Sequence, residues 1–230
     1  MNIAIIPARG GSKRIPRKNI KLFNGKPIIA YSIEAAINSG CFEKVIVSTD
    51  DKEIAEVAKK YGAEVPFIRP ENIADDHATT LAVVTHALNW LKEHGHNPTY
   101  TCLMYATAPF IQPEILRESF NLLSHHDKKF CFSVTEYPFP IQRALKISAS
   151  GDISMFNEEH LNTRSQDLEL AYHDAGQFYW GLTESFLDGS VVFSSCSIPY
   201  ILPSYQVQDI DTEDDWIKAE LLCQLIQHKV

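Results

Sequence analysis

Residues 9–21, Arg-Gly-Gly-Ser-Lys-Arg-Ile-Pro-Arg-Lys-Asn-Ile-Lys, carry six basic side chains, two adjacent glycines and no acid, in a chain of formal net charge -8. Paired glycines let backbone N–H groups approach an oxyanion closely, and Arg and Lys supply the countercharge. The chemistry such a loop serves is the binding of a polyphosphate. Far along the chain stands Asp209-Ile-Asp211. Read as a strand, its two carboxylates point to one face, where they repel unless a cation lies between them. Hard oxygen ligands that leave room for phosphate oxygens and waters describe a Mg²⁺ site. The alternative is that both acids only cap or solvate the helix starting at Glu213, with Thr212 as its N-cap. No Ser/His/Asp nucleophile arrangement or zinc-ligand spacing is present, so no covalent intermediate is expected.

These groups need a scaffold, and the hydrophobic pattern predicts one. Residues 2–7 read as a buried first strand, so the basic loop follows a strand end, where open α/β sheets bind ligands. Apolar spacing predicts helices over 26–39, 79–93 (with Leu81, Val84, Leu88 and Leu91 on one side), 113 to about 123, and 213 to about His228. Asp50 and Glu53 predict a capping box opening a helix that runs to Lys60. Strands are expected at 44–49, 64–68, 100–106, 129–135, 175–180 and 197–202. The order predicts an α/β fold: a three-layer, doubly wound, mostly parallel sheet. Residues 136–170 break the rhythm and read as a loop, an arm or a small subdomain within a single 1–230 domain.

Composition bounds the function. A hydrophobic content of 45% and a charged content of 22% are ordinary globular values. The acidic balance argues against nucleic acid as main partner, which makes the basic loop a local site. No run is long enough for a membrane span, and the first residues do not read as a signal peptide. Five scattered cysteines, never spaced Cys-x-x-Cys, fit reduced core thiols of a cytoplasmic protein. The loop lacks G-x-x-x-x-G-K-[ST] and G-x-G-x-x-G, which disfavours a P-loop ATPase and a dinucleotide-dependent oxidoreductase.

Several ordered motifs add a family. Ile6-Pro-Ala-Arg-Gly-Gly-Ser-Lys13 followed by Pro16-Arg-Lys-Asn19 resembles the signature of the CMP-sialic acid synthetases, the cytidylyltransferases of nine-carbon acidic sugars. Phe67-Ile-Arg-Pro70 with Asp75 and Ala78-Thr-Thr80 resembles the family's cytidine-side loop, and Ala106-Thr-Ala-Pro109 its Pro-Thr-Ser-Pro segment. Asp209-Ile-Asp-Thr-Glu213 resembles its metal-binding motif. The resemblance covers nearly the whole chain. It implies that Arg9, Ser12, Lys13 and Lys18, with the backbone of Ala8 and Gly10, meet the CTP phosphates. It implies Asn19 on the sugar or base side of the nucleotide, and Arg69, Ala78 and Thr80 around the cytosine. For Arg69 a plain structural ion pair is an equal alternative. Asp209 and Asp211 are the implied Mg²⁺ ligands, and Arg9, Lys18 and Asp211 the implied catalytic set.

On the acceptor side the resemblance implies Tyr105, Thr107, Lys146, Arg164, His173, Gln177 and Tyr179. Of Phe178, Tyr179 and Trp180, strand alternation leaves at least one as simple core. Where most sialic acid enzymes have Gln before Pro-Thr-Ser-Pro and Arg shortly after, this chain has Tyr105 and Ile111, and Arg14 replaces a Gly. Asn162-Thr-Arg-Ser-Gln-Asp167 and Tyr172-His-Asp-Ala-Gly-Gln-Phe-Tyr-Trp-Gly181 look most like the pseudaminic acid cytidylyltransferase branch. The implied reaction is attack of the sugar's anomeric hydroxyl on the α-phosphorus of CTP with loss of pyrophosphate. Asp211, acting through a water, is the first candidate for a base. A CMP-sialic or CMP-legionaminic acid synthetase is the alternative within the class, and an inactive CTP-binding regulator the alternative outside it. The family also implies a homodimer, with 136–170 as the arm.

Overall fold

Strands with a nearly continuous apolar run form where helices will cover both sides of a sheet. In the computed structural model, which describes residues 1–74 and 78–227, the first such run is β1 (Asn2–Pro7). Its Ile3, Ala4, Ile5 and Ile6 have no exposed surface. There follow β2 (Leu22–Phe23), β3 (Lys26–Pro27), α1 (Ile28–Ser39), β4 (Lys44–Ser48), α2 (Lys52–Lys60), α3 (Thr80–Glu93), β5 (Tyr100–Met104) and α4 (Pro113–Ser124). The rest comprises β6 (Phe130–Glu136), β7 (Leu145–Ile147), β8 (Ile153–Met155), β9 (Tyr172–Leu182), α5 (Thr183–Leu187), β10 (Ser197–Ile201) and α6 (Glu213–Gln227).

Six strands make the main sheet in the order β10-β6-β9-β5-β1-β4. β1 runs parallel to β4 and β5, and β10 parallel to β6, while β9 is antiparallel to both of its neighbours. Ile29, Ile33, Ile54, Ala58, Ile115 and Leu116 bring α1, α2 and α4 into one core. Val84, Leu88, Leu91 and Phe186 bring α3 and α5 into a second. These are the three layers and the mostly parallel sheet that the element order predicts. A third core joins Ile15, Phe23, Ile28, Phe110, Ile210, Trp216 and Ala219. It fastens the basic loop, through Ile15, to α6.

Several local expectations are corrected. Helix α1 starts at Ile28 rather than 26, because Lys26–Pro27 pairs with Leu22–Phe23 across Asn24-Gly25. Both turn residues have positive φ (44° and 86°), the backbone that favours Asn-Gly in a tight hairpin. The N-cap of α2 is Asp51, which accepts from Glu53 N and Ile54 N; Asp50 is turned to the basic loop instead. Residues 64–68 make only two isolated bridges, Ile46 with Glu64 and Thr49 with Ile68. Leu81 is exposed, and the buried face of α3 runs through Val83, Val84, Ala87, Leu88 and Leu91. Residues 207–211 pair with no strand among the described residues, so alternation does not set where Asp209 and Asp211 point. Cys102, Cys131 and Cys223 are buried, whereas Cys41 is half-buried and Cys196 exposed. Segment 136–170 holds the β7–β8 hairpin and leaves Phe139, Ile147, Ile153, Phe156 and Leu161 largely exposed. Among the described residues no helix is long and apolar enough to cross a membrane. Asp75 and His228 lie outside the described residues.

Candidate active site

β1 leads through α1 to β4 on one side, while β5 lies on its other side, so the loops leaving β1 and β5 diverge at their carboxyl ends. This switch point is where an open α/β sheet leaves a crevice for a ligand. A cleft of about 670 Å³ opens there. The loop after β1 supplies Arg9, Ser12, Lys13, Arg14, Lys18 and Asn19, and the approach to α3 supplies Arg69, Ala78, Thr80 and Val83. Tyr105, Ala106 and Thr107 come from the loop after β5, and Asp211 from the segment before α6. Five cationic residues and one carboxylate thus face one cleft of an acidic chain. Such a wall suits a ligand of several negative charges.

The loop's shape is set by its own contacts. Asn19 is buried and its Nδ2 donates to Arg9 O at 2.9 Å. Ala8 is fully buried, and its N donates to Ser48 O at 2.9 Å. Gly10 N donates to Asp50 Oδ1 at 3.0 Å. Lys18 Nζ donates to Ile210 O at 2.7 Å and lies 3.4 Å from Asp211 Oδ1. The Arg14 guanidinium reaches the same oxygen at 2.9 Å. On the opposite wall Arg69 is buried, donates to Ser48 O at 3.1 Å and stands 3.7 Å from Asp50. Burial pulls its pKa down and Asp50 pulls it back up; an arginine remains charged in such a setting. Arg69 therefore has both the ion-pair partner and the cleft position that its sequence context left open.

The acids before α6 also separate into roles. Thr212 and Asp215 cap the helix reciprocally: Asp215 N donates to Thr212 Oγ1 at 3.2 Å, and Thr212 N to Asp215 Oδ2 at 2.9 Å. Asp209 and Asp211 are thereby relieved of capping. Partial desolvation, and then the neighbouring Asp211, raise the Asp209 pKa above the usual carboxylate value. Asp209 does not line the cleft wall. Among the described residues no group of three or more His, Cys, Asp or Glu could hold a metal by itself.

The acceptor-side residues divide. Tyr105 and Thr107 line the cleft. Tyr179 is buried behind Tyr105, with ring centroids 5.8 Å apart, and its hydroxyl donates to Asp174. Gln177 is buried and its Nε2 donates to Gln206 O at 2.6 Å. His173 sits against the Tyr137 ring at 4.8 Å, its Nδ1 2.9 Å from Asp174 O. Lys146 lies on β7 with its ammonium 5.7 Å from the Phe156 ring, and Arg164 forks onto Asp167 at 2.7 and 3.1 Å. Gln177, Tyr179, His173, Lys146 and Arg164 are thus not on the cleft wall of this chain. Phe178, Tyr179 and Trp180 are all buried. The wall residues that sequence reasoning passed over are Pro7, Arg14, Val83 and Ala106. Arg14 extends the basic run, and Val83 follows Thr80 by one turn of α3, so both were within reach of pattern.

Comparison with known proteins agrees with this architecture. The sequence profile of the family described as cytidylyltransferase matches residues 3–206. Pseudaminic acid cytidylyltransferase of Campylobacter jejuni subsp. jejuni is 48% identical over 221 residues, covering 96% of this chain and 95% of that protein. CMP-N,N'-diacetyllegionaminic acid synthase of Legionella pneumophila is 33% identical, covering 98% of this chain and 97% of that protein. A structure of CMP:2-keto-3-deoxy-manno-octonic acid synthetase complexed with CTP superposes with a TM-score of 0.68 at 16% identity, covering 100% of this chain and 99% of that one, a likeness of fold. The chain belongs to the cytidylyltransferase family.

Proposed function

We propose that this chain transfers CMP from CTP to the anomeric hydroxyl of a nonulosonic acid, pseudaminic acid, and releases pyrophosphate. The observation that carries the reading is the cationic cleft at the β1/β5 switch point, tethered through Lys18 to Asp211, in a chain of this family. The 48% identity to the Campylobacter pseudaminic acid enzyme favours that sugar, and the more distant legionaminic acid synthase keeps CMP-legionaminic acid as the second reading.

In this reaction the C2 hydroxyl oxygen attacks the α-phosphorus, the bond to the bridging oxygen breaks, and pyrophosphate leaves with the electron pair. The hydroxyl proton passes to a base, for which Asp211, acting through a water, is our candidate. Arg9, Ser12, Lys13 and Lys18 hold the triphosphate and neutralise the charge that grows on the leaving group. Asn19 keeps the loop in shape through Arg9 O. Arg69, Ala78 and Thr80 form the cytosine wall. Two carboxylates with no further protein ligand among the described residues fit Mg²⁺, which commonly takes one or two carboxylates and completes its shell with phosphate oxygens and water. Asp209 and Asp211 would hold it, and the ion would supply charge neutralisation at the phosphates.

Tyr105 and Thr107 meet the acceptor, with Gln177 and Tyr179 supporting Tyr105 from behind. Lys146, Arg164 and His173 lie off this chain's cleft, and the apolar side chains of 136–170 stand exposed. Both facts support a homodimer in which that arm reaches the partner's cleft. Five cysteines outside any disulfide fit the reducing cytoplasm. The test is CTP-dependent pyrophosphate release with pseudaminic, legionaminic and sialic acids supplied in turn. Lack of preference for pseudaminic acid would refute the sugar assignment. CTP binding with no turnover on any of them would make the chain an inactive regulator.

A further inference from the structure

Two successive carboxylates after β4, Asp50 and Asp51, grip the basic loop from behind, and neither lines the cleft. Asp50 Oδ1 accepts from Gly10 N at 3.0 Å and stands 3.7 Å from the Arg69 guanidinium. One carboxylate thus touches both the glycine end of the loop and the arginine of the facing wall. Asp51 takes the loop's other end. The Arg17 guanidinium forks onto both of its oxygens, with one bond at 2.9 Å, and reaches Glu53 at 2.5 Å. Asp51 cannot swing away, because it also caps α2 by accepting from Glu53 N (2.9 Å) and Ile54 N (3.0 Å).

The backbone agrees. Arg17 has φ 56°, a left-handed conformation that a side-chain-bearing residue enters only when held there. Its carbonyl accepts from Ile20 N and Lys21 N, so this turn directly sets the direction of Lys18. A Cβ on Gly10 would stand 2.7 Å from Asp51 Oδ2, so only glycine lets the loop lie flat on the pair. Of the loop's six basic residues, Arg17 is spent on fixing the loop itself.

We propose that Asp50 and Asp51 are positioning residues that preform the nucleotide site: Asp50 couples the Gly10 turn to Arg69, and Asp51 through Arg17 aims Lys18. The proposal rests on the CTP-binding reading above. Cations gathered on a loose loop repel one another, and ordering them when the ligand arrives weakens affinity; a braced loop avoids that cost.

The test is calorimetric titration of wild type, Asp50→Ala and Arg17→Ala with CTP, alongside sugar KM and amide hydrogen exchange over 9–21. Each braced contact is a hydrogen bond to a charged group, so CTP Kd is expected to rise about tenfold. Sugar KM should stay within about twofold of wild type, since pre-formation concerns the nucleotide only. Exchange should quicken over 9–21 while the sheet stays protected, which a general loss of stability would not produce. Asp50→Asn, still able to accept from Gly10 N, should recover part of the affinity. If Arg17→Ala fails to fold, Arg17→Lys keeps the charge without the fork and gives the same readout. Folded variants that bind CTP as wild type does would overturn the proposal, as would an equal weakening of CTP and sugar. Wild type that binds no CTP would instead overturn the functional reading, and this proposal with it.

Discussion

Asp211 receives Arg14 at 2.9 Å and Lys18 at 3.4 Å on one oxygen, so its charge is matched from the loop side while its backbone is tied to α6 through Asp215. Asp211→Asn keeps the shape and removes the charge. It is expected to lower pyrophosphate release at least about a hundredfold and to flatten the response to Mg²⁺, with a melting temperature near that of wild type. Lys18→Ala removes a cation of the cleft wall that the proposed reaction sets against the phosphates, and should cost about 3 kcal/mol of transition-state stabilisation, read as a fall in kcat/KM for CTP. Unchanged kinetics in either variant would remove that residue from the site. The Asp51 carboxyl is held at about 2 from an ordinary 3.8, mainly by its hydrogen bonds from Arg17. Its folded-state pKa is depressed, so the stability it contributes is present above pH 4 and is lost as pH falls toward 2. With Arg17 partly exposed and screened, that contribution is about 1–2 kcal/mol. Arg17→Ala should therefore melt below wild type at neutral pH, and the gap should close as acid titration proceeds.

At the scale of elements, the helices and central strands were legible because their signals are local: apolar spacing, Pro113 at a helix start, Thr79 before α3. The basic loop could be assigned to a strand end for the same reason. Adjacent caps were harder. Asp50 and Asp51 carry the same carboxylate, and only the path of the loop across them decides which one caps α2. The Asn24-Gly25 hairpin was present as a turn signature but is swallowed by an apolar pattern that continues into α1. The Asp209 region failed differently, since a strand pattern lay where no partner strand exists among the described residues. Which acceptor-side residues reach the cleft depends on long-range packing and had no local signal. Ile15, the fully buried member of the basic loop, shows how an element transmits such packing. Ile15→Ala should destabilise the fold by about 2–5 kcal/mol and also weaken CTP binding, whereas the same truncation at Ile33, under α1, should affect stability alone. Thermal melts paired with CTP titrations separate the two.

For the molecule as a whole, the proposed homodimer makes a simple expectation. Light scattering should give about twice the 26.0 kDa chain mass. Ile147→Asp with Phe156→Asp, two exposed apolar side chains of segment 136–170, should shift the protein to that single-chain mass. A dimer indifferent to both changes would move the interface elsewhere. The third core carries a different consequence. Lys18 meets Ile210 across 192 positions of sequence, and Ile15 shares a core with Trp216 across a similar span. Contacts that distant close late in folding. On a ribosome, where synthesis proceeds at about 5–20 residues per second, the loop is made early and its clasp long afterwards. A nascent chain can therefore assemble much of its sheet while its basic loop is still unclasped, and nucleotide affinity is acquired only once Ile210, Trp216 and Ala219 have been made.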